Sequence, residues 1–257
     1  VDALAERFKD AEAIVLIRER TIIDKALLDR LPKLKVISQT GKIASHIDLD
    51  ACKEKGIVVM DGRGSGAATA ELNMLLILAA LRNLVDEVNR LKGGQWQGYL
   101  GSQLSGKVLG IYGFGRIGKQ VCALGKAFGA KPYVWGRQSS LEKAKEAGYD
   151  TASTKEEFFR NSDIVCLQLR LNDETRGIVK ASDLALMKPT SLLVNASRAE
   201  LIEAGALEAA LKLGKPGYAA VDTYESEPIL GADHPLLQLS NCLCTPHIGF
   251  VEKDNYE

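Results

Sequence analysis

Val108-Leu109-Gly110-Ile111-Tyr112-Gly113-Phe114-Gly115-Arg116-Ile117-Gly118 is the stretch that decides the fold. Its apolar start reads as a buried strand, its glycines as a tight turn, and the residues beyond as a helix. In that context G-x-G-x-x-G has a mechanical meaning. Gly113 permits the turn, Gly115 lets backbone amides approach a pyrophosphate, and Gly118 lets the helix pack closely on the sheet. The helix N-terminus adds unpaired N–H groups and a partial positive charge. The stretch therefore predicts a dinucleotide site.

The next strand, Tyr133–Trp135, refines that expectation. A carboxylate at its end ordinarily hydrogen-bonds the ribose of NAD. No Asp or Glu lies between Lys119 and Leu141. The strand runs instead into Gly136 and Arg137, followed by Ser139 and Ser140. Gly136 removes the charge that would repel a 2′-phosphate, and Arg137 with the hydroxyls can bind one. The expected cofactor is NAD(P), leaning to NADP(H). Upstream, Gly101–Lys107 nearly spells a P-loop, but Val108 stands where a magnesium-binding hydroxyl is needed and the segment precedes its strand.

Working outward, βα units continue on both sides. Strands are expected at Ala13–Ile17, Leu34–Ser38 and Ile57–Met60, and then at Val108–Tyr112, Tyr133–Trp135, Ile164–Leu169, Ser191–Asn195, Tyr218–Asp222 and Cys242–Thr245. Helical stretches between them match parallel strands in a doubly wound sheet. One long helix is expected from about residue 68 to 91, spanning two domains, and a glycine-rich loop over 93–106 marks the boundary.

Bulk properties exclude other classes. Lys plus Arg and Asp plus Glu both number 33 in 257 residues, so no basic face points to nucleic acid. The longest apolar run, Met74–Leu81, is far below the ~18–20 residues needed to span a bilayer. The five cysteines are scattered and read as reduced thiols of a cytoplasmic protein. Cys242-x-Cys244 looks like half of a zinc site, but no second pair follows at ligand spacing, so no metal is expected.

Three later segments carry chemistry. Leu193–Arg198 puts an arginine after a buried strand, Ala220–Pro228 puts acids at a strand end, and Cys244–Gly249 puts His247 after the last strand. Ligands of open α/β sheets bind outside such strand ends. His46 and His234 lack this context and are expected on the surface or in turns.

Taken together, GFGRIG, VNASRAELI, AAVDTYESEP, TPHIG and the upstream TGKIASHIDL resemble the D-isomer-specific 2-hydroxyacid dehydrogenase family, in its order and over nearly the whole chain. The resemblance implies an α/β fold of two Rossmann-like lobes, with a doubly wound parallel sheet in the nucleotide-binding lobe and a partial flavodoxin-like substrate lobe. It divides the chain into a substrate domain over 1–98, a dinucleotide-binding domain over 99–246, and the start of a return over 247–257. The chain begins after the family's first strand and helix and ends before its last helix, so a partial chain is expected. The catalytic residues implied are Arg198 as carboxylate clamp, His247 as proton donor and Glu227 as its partner. The cofactor residues implied, beyond Gly113, Gly115, Gly118, Gly136 and Arg137, are Arg116 and Ile117 on the pyrophosphate, with Asp222, Ala196 and Ser197 at the nicotinamide. Leu169, Arg170, Thr175 and Gly249 complete that set. Lys42 and Ile43 match the loop that meets the substrate carboxylate. Arg170 stands where the family usually has proline, and Ile43 where it often has glycine. The implied activity is NAD(P)-dependent interconversion of a small 2-hydroxy and 2-keto acid, of 3-phosphoglycerate, glyoxylate or hydroxypyruvate type, by a homodimer. A dinucleotide-sensing corepressor is the rival reading on the same fold.

Overall fold

The structure is a computed structural model that describes residues 2–17, 21–40, 43, 46–62 and 66–253. It divides into two compact units, Val1–Ser65 with Lys253–Glu257, and Gly66–Glu252.

The first unit comprises α1 (Asp2–Phe8), β1 (Ala13–Ile17), α2 (Lys25–Leu28), β2 (Val36–Thr40), α3 (Leu49–Glu54) and β3 (Val58–Asp61). Its strands form a parallel sheet in the order β1-β2-β3. Asp24 and Asp48 start α2 and α3 by accepting the amides of Leu27 and Ala51, each at 2.9 Å. Ala5, Leu27, Leu28, Ala51 and Cys52 from the helices pack on Ile14, Leu16 and Ile37 of the sheet. All three helices thus cover one face. Strand β1 alternates, with Ile14 and Leu16 inside and Val15 exposed.

The second unit opens with α4 (Ala67–Leu81) and α5 (Leu84–Lys92). Alternating elements follow: β4 (Val108–Tyr112), α6 (Arg116–Ala127), β5 (Lys131–Trp135), α7 (Gln138–Glu146), β6 (Asp150–Thr151), α8 (Lys155–Asn161) and β7 (Ile164–Leu167). The last are α9 (Ala181–Ala185), β8 (Leu192–Asn195), α10 (Ala206–Lys212), β9 (Tyr218–Val221) and β10 (Cys242–Cys244). One parallel sheet takes the order β10-β9-β8-β7-β4-β5-β6. Chain order reverses beside β4, so the switch point of the sheet falls at the end of the strand that carries the glycine turn. Strands β7 and β8 are buried on both faces, as parallel strands between helical layers must be. Leu109, Ile111, Cys166 and Val194 face one core, which α4 and α6 close. Tyr112, Val165, Leu167 and Leu193 face the other, where Phe158 and Phe159 meet Tyr112 edge-on.

Three sequence expectations are corrected. The helix expected over 68–91 is two helices bent by 61°, because Asn83 adopts a left-handed φ of 49° and ends the first run. The unit boundary lies at 65/66, ahead of the expected 98/99. The reason is packing: Ala70, Leu72, Met74, Leu76 and Ile77 of α4 complete the core under β4, β7 and β8. The two-residue β6, a seventh strand, is too short to have been read from periodicity. Among the described residues no single helix is long and apolar enough to cross a membrane.

Candidate active site

The glycine turn has the geometry of a phosphate cradle. Gly113 sits at φ 104°, and a Cβ there would meet the Gln168 carbonyl oxygen at 2.5 Å. A Cβ on Gly118 would meet the Gly113 carbonyl oxygen at 2.2 Å, so strand and helix approach as closely as only glycine allows. Gly115 differs: a Cβ there would find open space. Gly115 is also the N-cap of α6 and gives it no side-chain cap, so the first amides of the helix, at Arg116 and Ile117, face that space. Open room in front of uncapped amides is what a pyrophosphate requires. The residues present fit a dinucleotide.

Downstream of this cradle, adjacent strands β8, β9 and β10 deliver the other groups. Past β9, Asp222 is fully buried. Its Oδ1 accepts the Thr245 hydroxyl at 2.6 Å and the Ile248 amide at 2.9 Å, and its Oδ2 accepts the Gly249 amide at 2.9 Å. This carboxylate therefore ties the end of β9 to the segment that follows β10. Within that segment His247 holds φ 53°, in the left-handed region. Its Nδ1 lies 2.5 Å from Glu227 Oε2 and its ring meets Phe250 edge-on, while only 8% of the residue is exposed. The other Glu227 oxygen accepts the Tyr224 amide at 3.0 Å, which fixes the carboxylate in turn. Burial holds the Tyr224 hydroxyl well above its ordinary pKa, so it stays protonated and donates to the Thr245 carbonyl at 3.0 Å.

Arg198 follows β8 in extended backbone, half-buried, with Nη1 donating to the Ser197 carbonyl at 2.7 Å. Asn195 organises this turn. Its Nδ2 donates to the Arg198 carbonyl and its Oδ1 accepts the Ser197 amide. The Ser197 hydroxyl donates to the Leu167 carbonyl, and Ala196 is buried in the core.

The remaining expected residues are dispersed. Gly136 and exposed Arg137 lead into α7, with Arg137 as its N-cap. Leu169 is half-buried beside Gly113, and Arg170 is exposed. The Thr175 hydroxyl donates to the Arg170 carbonyl at 2.7 Å, closing that loop on itself. Ile43 belongs to the first unit and packs against its core, and Lys42 lies outside the described residues. His46, expected at the surface, is buried, with Nε2 3.1 Å from Gln39 Oε1. Sequence reasoning missed Asn195, Tyr224 and Thr245, which act on backbone and neighbours and carry no spacing signal. It also missed a buried polar knot, in which Asn73 Oδ1 accepts from the Cys166 thiol and the Gln168 amide group. Burial pushes that thiol up to about 12, which keeps it inert.

Residues 74–249 match the model of the D-isomer specific 2-hydroxyacid dehydrogenase NAD-binding domain. The chain belongs to this family. It is 38% identical over 251 residues to a D-3-phosphoglycerate dehydrogenase from Methanocaldococcus jannaschii, which covers 96% of this chain but 47% of that relative. It is also 38% identical over 264 residues to a glyoxylate reductase from Aeropyrum pernix, covering 98% of this chain and 78% of the relative. A solved phosphoglycerate oxidoreductase from Vibrio cholerae superposes with a TM-score of 0.93 at 51% identity, over all of this chain and 82% of that one. The chain thus spans less than half of one curated relative and about three-quarters of another. These relatives are enzymes, and nothing among them supports the corepressor reading.

Asp222 generates a prediction independent of any ligand. Asp222→Ala strands the Thr245 hydroxyl and the Ile248 and Gly249 amides, and should cost ~2–4 kcal/mol in denaturant unfolding. Amide exchange at Ile248 and Gly249 should accelerate selectively. Unchanged exchange there would show that the loop is held by something else.

Proposed function

We propose that the chain carries the machinery of a D-2-hydroxyacid dehydrogenase acting on small 2-hydroxy and 2-keto acids of the 3-phosphoglycerate, glyoxylate or hydroxypyruvate type. The observation that carries this reading is the 2.5 Å His247–Glu227 pair at the carboxyl ends of strands whose sheet also bears the glycine cradle. Gly113–Gly118 would hold a nicotinamide cofactor, which would supply or take up the hydride. His247 does the proton work. Glu227 holds Nδ1 and favours imidazolium, so Nε2 presents the proton to the substrate oxygen. Arg198 pairs with the substrate carboxylate and polarises the carbonyl. Asp222 keeps lone-pair capacity on Oδ2 for the nicotinamide amide while it holds the histidine segment. Ala196, Ser197, Leu169, Arg170, Thr175 and Gly249 are proposed to line the cofactor. The five free cysteines suit a reducing, cytoplasmic compartment.

A panel of 2-keto acids assayed with both reduced cofactors tests the reading. Reduction should slow as pH rises and His247 loses its proton. Glu227→Gln removes the charge that stabilises imidazolium, so the falling limb should move to lower pH. Arg198→Ala should lower kcat/KM by roughly 10²- to 10³-fold. No turnover across the panel by the full-length protein, or a pH limb unmoved in Glu227→Gln, would overturn the assignment.

The proposed preference for NADP(H) rests on Gly136, exposed Arg137 and the absence of any acid from Lys119 to Leu141. A charge-assisted contact to a 2′-phosphate, screened by solvent, should favour NADPH by roughly tenfold in Kd. Arg137→Ala should remove that preference and leave NADH affinity unchanged. Equal affinities in the wild type would refute it.

A homodimer is proposed on the same unit. Leu84, Val88 and Leu91 make an exposed stripe at helical spacing on α5, and Trp96, Tyr99 and Leu100 beyond it are exposed by 74%, 54% and 100%. An apolar surface of that kind on a soluble enzyme is ordinarily covered, and self-pairing is the commonest way to cover it. Sedimentation should give twice the chain mass, and Trp96→Glu should give the monomer. A wild-type monomer at micromolar concentration would remove the proposal.

A further inference from the structure

Among the described residues strand β10 is the edge of the seven-stranded sheet and pairs with β9 alone, Cys242 opposite Ala219 and Cys244 opposite Val221. Residues i and i+2 of a strand point to one face. Here both thiols lie on the side of Tyr224 and Leu236, while Leu243 packs into the opposite core. The two sulfurs are 3.7 Å apart and both cysteines are half-buried. A surface cavity of about 400 Å³ that includes Cys242, Cys244, Leu237 and Tyr218 opens along this edge.

We propose that Cys242 and Cys244 form a modification site at which a hydroperoxide produces an intrachain disulfide. The Cα atoms of such a pair are about 6.6 Å apart in an extended strand, near the upper end of the ~4.4–6.8 Å that a disulfide bridges. Closure therefore needs a slight pinch of the backbone, which an edge strand of three residues with one neighbour can make. The order of events follows from the two thiols' surroundings. Hydrogen bonding from Cys242 lowers the pKa of Cys244, while the same contact and burial raise that of Cys242, so Cys244 is the more readily ionised of the two and attacks first. Its sulfur attacks the outer oxygen of the hydroperoxide, the O–O bond breaks, and the alcohol leaves with a proton. The Cys242 sulfur then attacks the resulting sulfenic acid, the S–O bond breaks, and the Cys242 proton leaves with hydroxide as water. Two electrons pass from the thiol pair to the peroxide. The pinch makes the product a readily reduced bond.

Hydrogen peroxide on the full-length protein tests this without any substrate, so failure here leaves the reductase reading standing. The five titratable thiols should fall to three, the chain mass should drop by two hydrogens, and dithiothreitol should restore both. Proteolytic mapping should join Cys242 to Cys244 within one chain. In Cys242→Ser, oxidation should stop at a sulfenic acid on Cys244 that dimedone captures. All five thiols surviving peroxide that oxidises free glutathione would overturn the proposal. So would a bond between chains, or a sulfenic acid persisting in the wild type.

Discussion

Both oxygens of the Asp222 carboxylate are engaged inside the protein, one by the Thr245 hydroxyl and the Ile248 amide, the other by the Gly249 amide. A buried charge is tolerable only when it is hydrogen-bonded in this way. Here the satisfaction has a geometric consequence, because the three donors flank His247 on both sides. The left-handed backbone of that histidine is costly for a side chain with a Cβ, and the anchored neighbours hold it. Once the backbone is fixed, the imidazole is set against Glu227 at Nδ1 and against Phe250 at the ring. The histidine proposed to donate the proton is thus placed by a residue that the family resemblance assigns to the cofactor.

How far the chain was legible depended on whether a residue acts through its type and spacing or through its neighbours. Gly113, Gly115 and Gly118 were readable because each position excludes or permits a Cβ for a separate reason, and the structure repeats those reasons as distances. Strands buried on both faces were readable as apolar runs, with ends shifted by one or two residues. The break at Asn83 was masked by the apolar periodicity running on through Leu84 and Val88, although asparagine readily takes the left-handed conformation that ends a helix. Asn73, Asn195 and Thr245 were hidden for a related reason: each holds backbone or another side chain, and a polar residue in an apolar stretch does not say which partner it will find.

The division of the chain into units follows the same logic. Helix α4 precedes the glycine turn by more than 25 residues in sequence, yet it belongs to the nucleotide unit because its apolar side finishes a core that β4, β7 and β8 leave open. Its polar exception, Asn73, reaches Gln168 beside the turn. The family match, which starts within this helix, follows the packing and not the glycine-rich loop.

The position of β10 at the sheet edge has a consequence for how activity is lost. A three-residue strand with a single neighbour is among the first parts of such a sheet to detach in local opening, well below the free energy of global unfolding. His247 hangs from that strand, whereas the glycine cradle leaves the middle of the sheet. On the proposed function, mild stress should therefore give a form that still binds dinucleotide but no longer transfers a proton. Such a form would look intact by cofactor binding and by secondary-structure content, and would be silent in turnover.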